Sequence, residues 1–79
     1  MPKLRRLSGH EIVDILSRFG FSKVGQRGSH MKLKRMVADG HQVLTVPAHA
    51  NLDPGTLKAI IRQASRFIPE DKLREHFYH

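Results

Sequence analysis

The chain has 79 residues, of which fourteen are Lys or Arg and seven are Asp or Glu, for a formal net charge of +7; its pI is about 10.6. A chain this short holds one small core, so residues 1–79 are read as a single domain. With no cysteine in the sequence, disulfides, thiolate chemistry and Cys-based zinc sites are excluded, and no apolar run approaches the roughly 20 residues of a membrane span.

The charge points to a polyanionic partner, most simply a nucleic acid. The bland alternative is a basic protein with no specific partner. Missing cysteines fit a reducing compartment. Met1–Leu7 is basic and lacks the apolar stretch of a secretory signal. The expected location is therefore the cytoplasm.

Residues 1–7 read as an extended lead-in, because Pro2 removes an early helix donor. Ser8-Gly9-His10-Glu11 is a capping box, in which the Ser8 hydroxyl accepts the Glu11 amide and the Glu11 carboxylate reaches back to Ser8. Ile12, Val13, Leu16 and Phe19 recur at helical spacing, and Gly20 is a natural left-handed stop. A first helix is expected over about Gly9–Phe19. A short strand should follow from Phe21 to Gln26, with Gly25 or Gly28 marking a bulge or tight turn.

His30 to Val37 alternates more cleanly. Met31 and Leu33 point one way, and His30, Lys32 and Lys34 the other. Asp39-Gly40 is a two-residue hairpin signal, and Gln42 to Val46 forms a third strand ended by Pro47. A turn at Asp39-Gly40 sets a register. Ala38 faces His41, Lys34 faces Thr45, Leu33 faces Val46, Lys32 faces Pro47, Met31 faces Ala48, and His30 faces His49. This would put two imidazoles and two lysines on one wet surface, and a one-residue slip would reverse it.

Asp53 is a good N-cap for a second helix, with Pro54 at its first position. Leu57, Ile60, Ile61, Ala64 and Phe67 form its apolar stripe, beside a basic stripe of Lys58, Arg62 and Arg66. Pro69 is read as its end. Residues 69–78 are expected to form a short third helix with Leu73 and Phe77 on one side. The predicted fold is α+β: an antiparallel three-stranded sheet with the two main helices on one face and the other face solvated.

The chemistry concentrates at Gly25-Gln26-Arg27-Gly28-Ser29-His30-Met31-Lys32-Leu33-Lys34. Arg27, Lys32, Lys34 and Arg35 are basic, and no acidic residue lies between Asp14 and Asp39. An imidazole titrates near neutral pH and so can take or give a proton. Nearby cations bind a polyanion and steady the charge that grows on phosphorus. His30 is the candidate proton carrier, with an ordinary surface histidine as the plain alternative. Arg27, Ser29, Lys32 and Lys34 are candidate RNA contacts, against a solvated strand face and a capped turn. The register makes His49 a possible second proton carrier, against a strand-end histidine with a structural role. A metal site from His30, His41 and His49 is disfavoured because it lacks tight ligand spacing. No Asp is placed for a Ser-His-Asp hydrolase. Four Phe and one Tyr, mostly at apolar helical positions, argue against an aromatic platform for stacking bases.

Gly28-Ser29-His30, then a strand, then Val46-Pro47-Ala48-His49, then Gly55-Thr56-Leu57-Lys58-Ala59-Ile60-Ile61-Arg62-Gln63-Ala64, resembles the HicA family of toxin mRNA interferases. The likeness runs from about Ser8 to Ala64. It implies a fold like the double-stranded-RNA-binding domain, in the order α-β-β-β-α, which agrees with the order read from the residues. It also implies a ribosome-independent endoribonuclease that cleaves mRNA, and a HicB-like antitoxin as partner. The chemistry expected at a histidine such as His30 is transesterification by the ribose 2′-hydroxyl, for which no metal and no cofactor is expected. The catalytic histidine of the family's Gly-Ser-His motif maps onto His30. The noncatalytic alternative is an RNA-binding module of the same fold, touching sugar and phosphate through its basic surface.

Overall fold

The structure is a computed structural model that describes residues 3–79. Residues 1 and 2 of the expected lead-in, Pro2 among them, lie outside the described residues. The elements run α1 (Gly9–Ser17), β1 (Ser22–Arg27), β2 (His30–Val37), β3 (Gly40–Pro47), α2 (Pro54–Ala64) and α3 (Glu70–Phe77). This is the expected α-β-β-β-α order with a short third helix.

The capping box forms as its residues require. The Glu11 amide donates to Ser8 Oγ at 3.1 Å, and the Ser8 amide donates to Glu11 Oε1 at 2.8 Å. The Ser8 amide is the main reason the Glu11 carboxyl sits below its ordinary range. The far end of α1 closes on Gly20, at φ +94°. There the Gly20 amide donates to the Ser17 carbonyl and the Phe21 amide to the Leu16 carbonyl. Those two bonds make a Schellman turn, and the buried pair Leu16 and Phe21 supplies its hydrophobic contact. In α2, Asp53 caps the Thr56 amide and also accepts the Thr56 hydroxyl at 2.7 Å, which lowers the pKa of its carboxyl. The helix stops at Ala64, five residues before Pro69, and a turn through Ser65–Ile68 leads into α3.

The sheet is antiparallel, in the order β1-β2-β3. Its inner face carries Met31, Leu33, Leu44 and Val46, which pack with Ile12, Ile15 and Leu16 of α1 and Leu57, Ile60, Ile61 and Ala64 of α2. Leu73 and Phe77 extend the same core from α3. Both main helices cover one face of the sheet and leave the other to water.

The β2–β3 register differs from the expected one. The pairs are His30↔Pro47, Lys32↔Thr45, Leu33↔Leu44, Lys34↔Val43 and Val37↔Gly40. The two-residue loop is Ala38-Asp39, not Asp39-Gly40. A primed turn at Asp39-Gly40 would need a positive φ at its first central residue, Asp39. Asp39 keeps a negative φ, and Gly40 takes +149° as the first residue of β3. The slip is two residues, an even number, so every side chain stays on its expected face.

Two features tie the layers together. Gly9 begins α1 against the end of β3, and its amide donates to the His49 carbonyl at 2.9 Å. A Cβ at Gly9 would stand 1.9 Å from the Pro47 carbonyl oxygen, so only glycine permits this approach. Arg35, on the inner face of β2, reaches three partners. Its Nε donates to Gln42 Oε1 at 2.8 Å, Nη1 to the Phe19 carbonyl at 2.9 Å and Nη2 to the Phe67 carbonyl at 3.0 Å. The guanidinium also lies 4.9 Å from the Phe21 ring centre. It thus holds the chain just after α1 and just after α2 to the middle strand, where helix ends present unpaired carbonyls. The chain ends join as well: Lys3 and His79 exchange backbone hydrogen bonds at 2.7 and 2.8 Å, and Arg5 donates to the Phe77 carbonyl.

Replacing Arg35 with Ala is expected to cost about 3 kcal/mol in chemical denaturation, because two part-buried carbonyls lose a charged donor. Arg35→Lys should recover less than half of that, since an ammonium lacks the planar fork. Lys34→Ala on the other face should stay within about 0.5 kcal/mol of wild type. Equal effects at positions 34 and 35 would contradict this assignment of faces.

Candidate functional site

The site is built on the wet face of β2 and on the turn that feeds it. Gly28 and Ser29 link β1 to β2, with Arg27 paired to His30. Gly28 has φ +58° and Ser29 does not turn positive, the pattern of a type II′ turn, which takes glycine first. Both sides of the turn are held. On one side, Gln26 Nε2 donates to the Gly28 carbonyl at 2.9 Å, and Lys23 Nζ donates to Gln26 Oε1 at 2.7 Å. On the other, the Ala48 amide donates to the Ser29 carbonyl at 2.6 Å. Gly9 in turn fixes His49 through its carbonyl. His30 therefore sits at the start of a strand whose entrance is tied to β1, to the segment after β3 and, through that segment, to α1.

His30, Arg27, Ser29 and Lys32 are exposed and Lys34 is half-buried. Arg27 lies directly across from His30 on β1 and Pro47 directly across on β3. Lys32 and Lys34 follow at alternate positions on the same face. Cross-strand neighbours stand about 5 Å apart. At that distance a cation attracts a phosphate by about 0.8 kcal/mol in water, and by several times more once the contact is partly desolvated.

Two expectations about the site need correction. The pairing of His30 with His49 does not form, because the two-residue shift puts Pro47 opposite His30. His49 lies two residues past Pro47, exposed, with its carbonyl committed to Gly9. In the observed register no strand pairing brings the two imidazoles together. Arg35 is not part of the exposed positive field either; it faces the core and holds the helices. Its role was not legible because its partners, Phe19 and Phe67, are 16 and 32 residues away in sequence. Among the described residues, no group of three or more His, Cys, Asp or Glu side chains is placed to hold a metal ion.

The basic stripe of α2 lies elsewhere. Lys58, Arg62 and Arg66 are exposed on a helix that covers the inner face of the sheet. Lys58 and Arg62 line a shallow groove with Arg74 and Tyr78 of the C-terminal segment. That groove is separated from His30 by the thickness of sheet and helix.

The family model described as the HicA toxin of bacterial toxin-antitoxin matches residues 9–65. The chain belongs to the HicA toxin family. The match begins at the first residue of α1 and ends one residue past α2. It takes in Arg27, Ser29, His30, Lys32, Lys34 and His49, and leaves out α3 and the joined chain ends. No curated protein and no solved structure matched the chain. The HicA assignment makes the protein a toxin of a toxin–antitoxin system.

Proposed function

We propose that this HicA toxin is an endoribonuclease, an mRNA interferase that cleaves by histidine-assisted transesterification, with His30 as the catalytic residue. The observation that supports the reading most directly is the exposed imidazole of His30 at the head of a row of cations, on a turn held from both sides. In the reaction the ribose 2′-hydroxyl loses its proton and attacks the adjacent phosphorus. The 5′-oxygen leaves and takes a proton. The products are a 2′,3′-cyclic phosphate and a 5′-hydroxyl. His30 moves the proton, either off the 2′-hydroxyl as base or onto the departing oxygen as acid. Arg27, Lys32 and Lys34 hold the phosphates on either side and offset charge in the transition state. Ser29 offers its hydroxyl to a phosphate at the turn. The nucleophile belongs to the substrate, so the reading needs no metal or cofactor, and DNA, which lacks the 2′-hydroxyl, is not cut.

The partner that fits this surface is a HicB-like antitoxin that lays acidic groups over Arg27, Lys32 and Lys34 and covers His30. No described helix is long and apolar enough to cross a membrane. We place the action in the cytoplasm, where mRNA is, with residues 1–79 working as one unit.

His30→Ala is expected to lower the rate of RNA cleavage by roughly 10²–10⁴ while leaving thermal unfolding unchanged, and to abolish growth arrest on induction. A folded His30→Ala protein that cuts RNA at the wild-type rate would end the proposal. If wild type binds RNA but cuts none, the noncatalytic RNA-binding module is the better description. Separately, Arg27→Ala, Lys32→Ala and Lys34→Ala should each weaken RNA binding across sequences. Each should also reduce the slope of log affinity against log salt by about 0.7. Lys58→Ala, on the far side, should leave that slope unchanged.

A further inference from the structure

The wet face of the sheet is not evenly clothed with side chains. Lys32 is flanked across the ladder by Thr45 on β3 and by Gly25 on β1. Going along β1 from the turn, the face therefore presents Arg27 opposite His30, then bare backbone opposite Lys32. The backbone at Gly25 does not require a glycine. Its φ is not positive, and a Cβ built there would meet nothing within 4 Å. In this it differs from Gly28, whose φ is +58°, and from Gly9, whose Cβ would strike Pro47. A glycine inside a strand normally weakens it, and marks either a bulge or a place where another group comes close. The bulge here falls between Lys23 and Gly25 and leaves Val24 as the unpaired residue, 53% exposed. Such a bulge does not need a glycine at position 25 when the φ there is an ordinary one.

We propose that the bare stretch at Gly25 is the seat of the ribose whose 2′-hydroxyl reacts. This rests on the reading of His30 as the proton carrier. Gly25 and His30 are diagonal neighbours on adjacent strands, so their side-chain directions stand about 7–8 Å apart. One ring in contact with both needs about that distance, two carbon contacts of roughly 3.5–4.0 Å each. A ribose lying over Gly25 sits between the His30 imidazole and the backbone of β1. Its phosphates then fall toward Arg27 on one side and Lys32 on the other. Gly25 acts by leaving space; it positions substrate and does not touch a proton. Val24, next along the bulged edge, bounds the seat with an apolar side chain.

The test is a graded series, Gly25→Ala, Gly25→Val and Gly25→Leu, with wild type and His30→Ala alongside. It measures kcat/KM for cleavage of a mixed-sequence RNA, together with the midpoint of thermal unfolding. The expected result is a loss that grows with side-chain size, roughly tenfold for Ala and about a hundredfold or more for Val and Leu. Unfolding midpoints should be unchanged or higher, because glycine inside a strand carries an extra backbone-entropy cost that each replacement removes. Val and Leu variants that cleave like wild type, while His30→Ala is dead, would overturn the seat and leave the catalytic reading standing. A Val variant that unfolds would also overturn it, since the open space at Gly25 is its basis. Wild-type protein that cuts no RNA would remove both proposals together.

Discussion

A middle strand covered by helices on one side only must be two different surfaces at once, and β2 is the element on which this protein depends. The alternation of Met31, Leu33 and Arg35 with His30, Lys32 and Lys34 is the constraint. The first set holds the two helices to the sheet; the second is left to water and to whatever binds there. Period two in a strand is strict, so the apolar core and the basic face are fixed by the same eight residues. A shift of one place would bury Lys32, Lys34 and His30 and expose Met31 and Leu33, at a cost that no small domain could absorb.

That strictness explains which parts of the fold could be read from the sequence. The helix starts were legible because Ser8-Glu11 and Asp53-Pro54 are local signals with local partners. So was the Schellman close at Gly20, and so were the faces of β2. The register was misread by two residues because Asp-Gly is a strong turn signal, yet here the preceding Ala38-Asp39 pair makes the loop and Gly40 opens the strand. The faces survived because the error was even. What local pattern could not supply was the long-range wiring. Arg35 looks like one more cation in a basic run, and only the folded chain shows it clamping the segments after both helices. The pairing of Lys3 with His79 likewise has no marker in either segment.

Of the candidate site, His30 and its neighbours were legible as a group because a turn glycine, a hydroxyl, an imidazole and alternating cations are contiguous. His49 stands in the Val46-Pro47-Ala48-His49 stretch of the family resemblance, but its expected pairing with His30 does not form, because Pro47 lies opposite His30. Gly25 reads in the sequence as turn or bulge chemistry, because it lies three residues before the Gly28 turn. Its ordinary φ and the open space around it are properties of the fold alone.

The surface around His30 is open and carries charge along a line, which suits a flexible polymer laid across a sheet better than a small molecule engulfed in a cavity. Among the described residues, hollows are found between Leu4–Arg6 and the start of α2, and along α2 and α3. The reaction proposed for this face is an in-place attack by a ribose hydroxyl assisted by one exposed imidazole. Analysis of the ends left on RNA cut by the purified protein tests this most directly. Cleaved fragments should end in a 2′,3′-cyclic phosphate and begin with a 5′-hydroxyl. Fragments that instead carry a 3′-hydroxyl and a 5′-phosphate would show that water, and not the ribose, attacked phosphorus, and would contradict it.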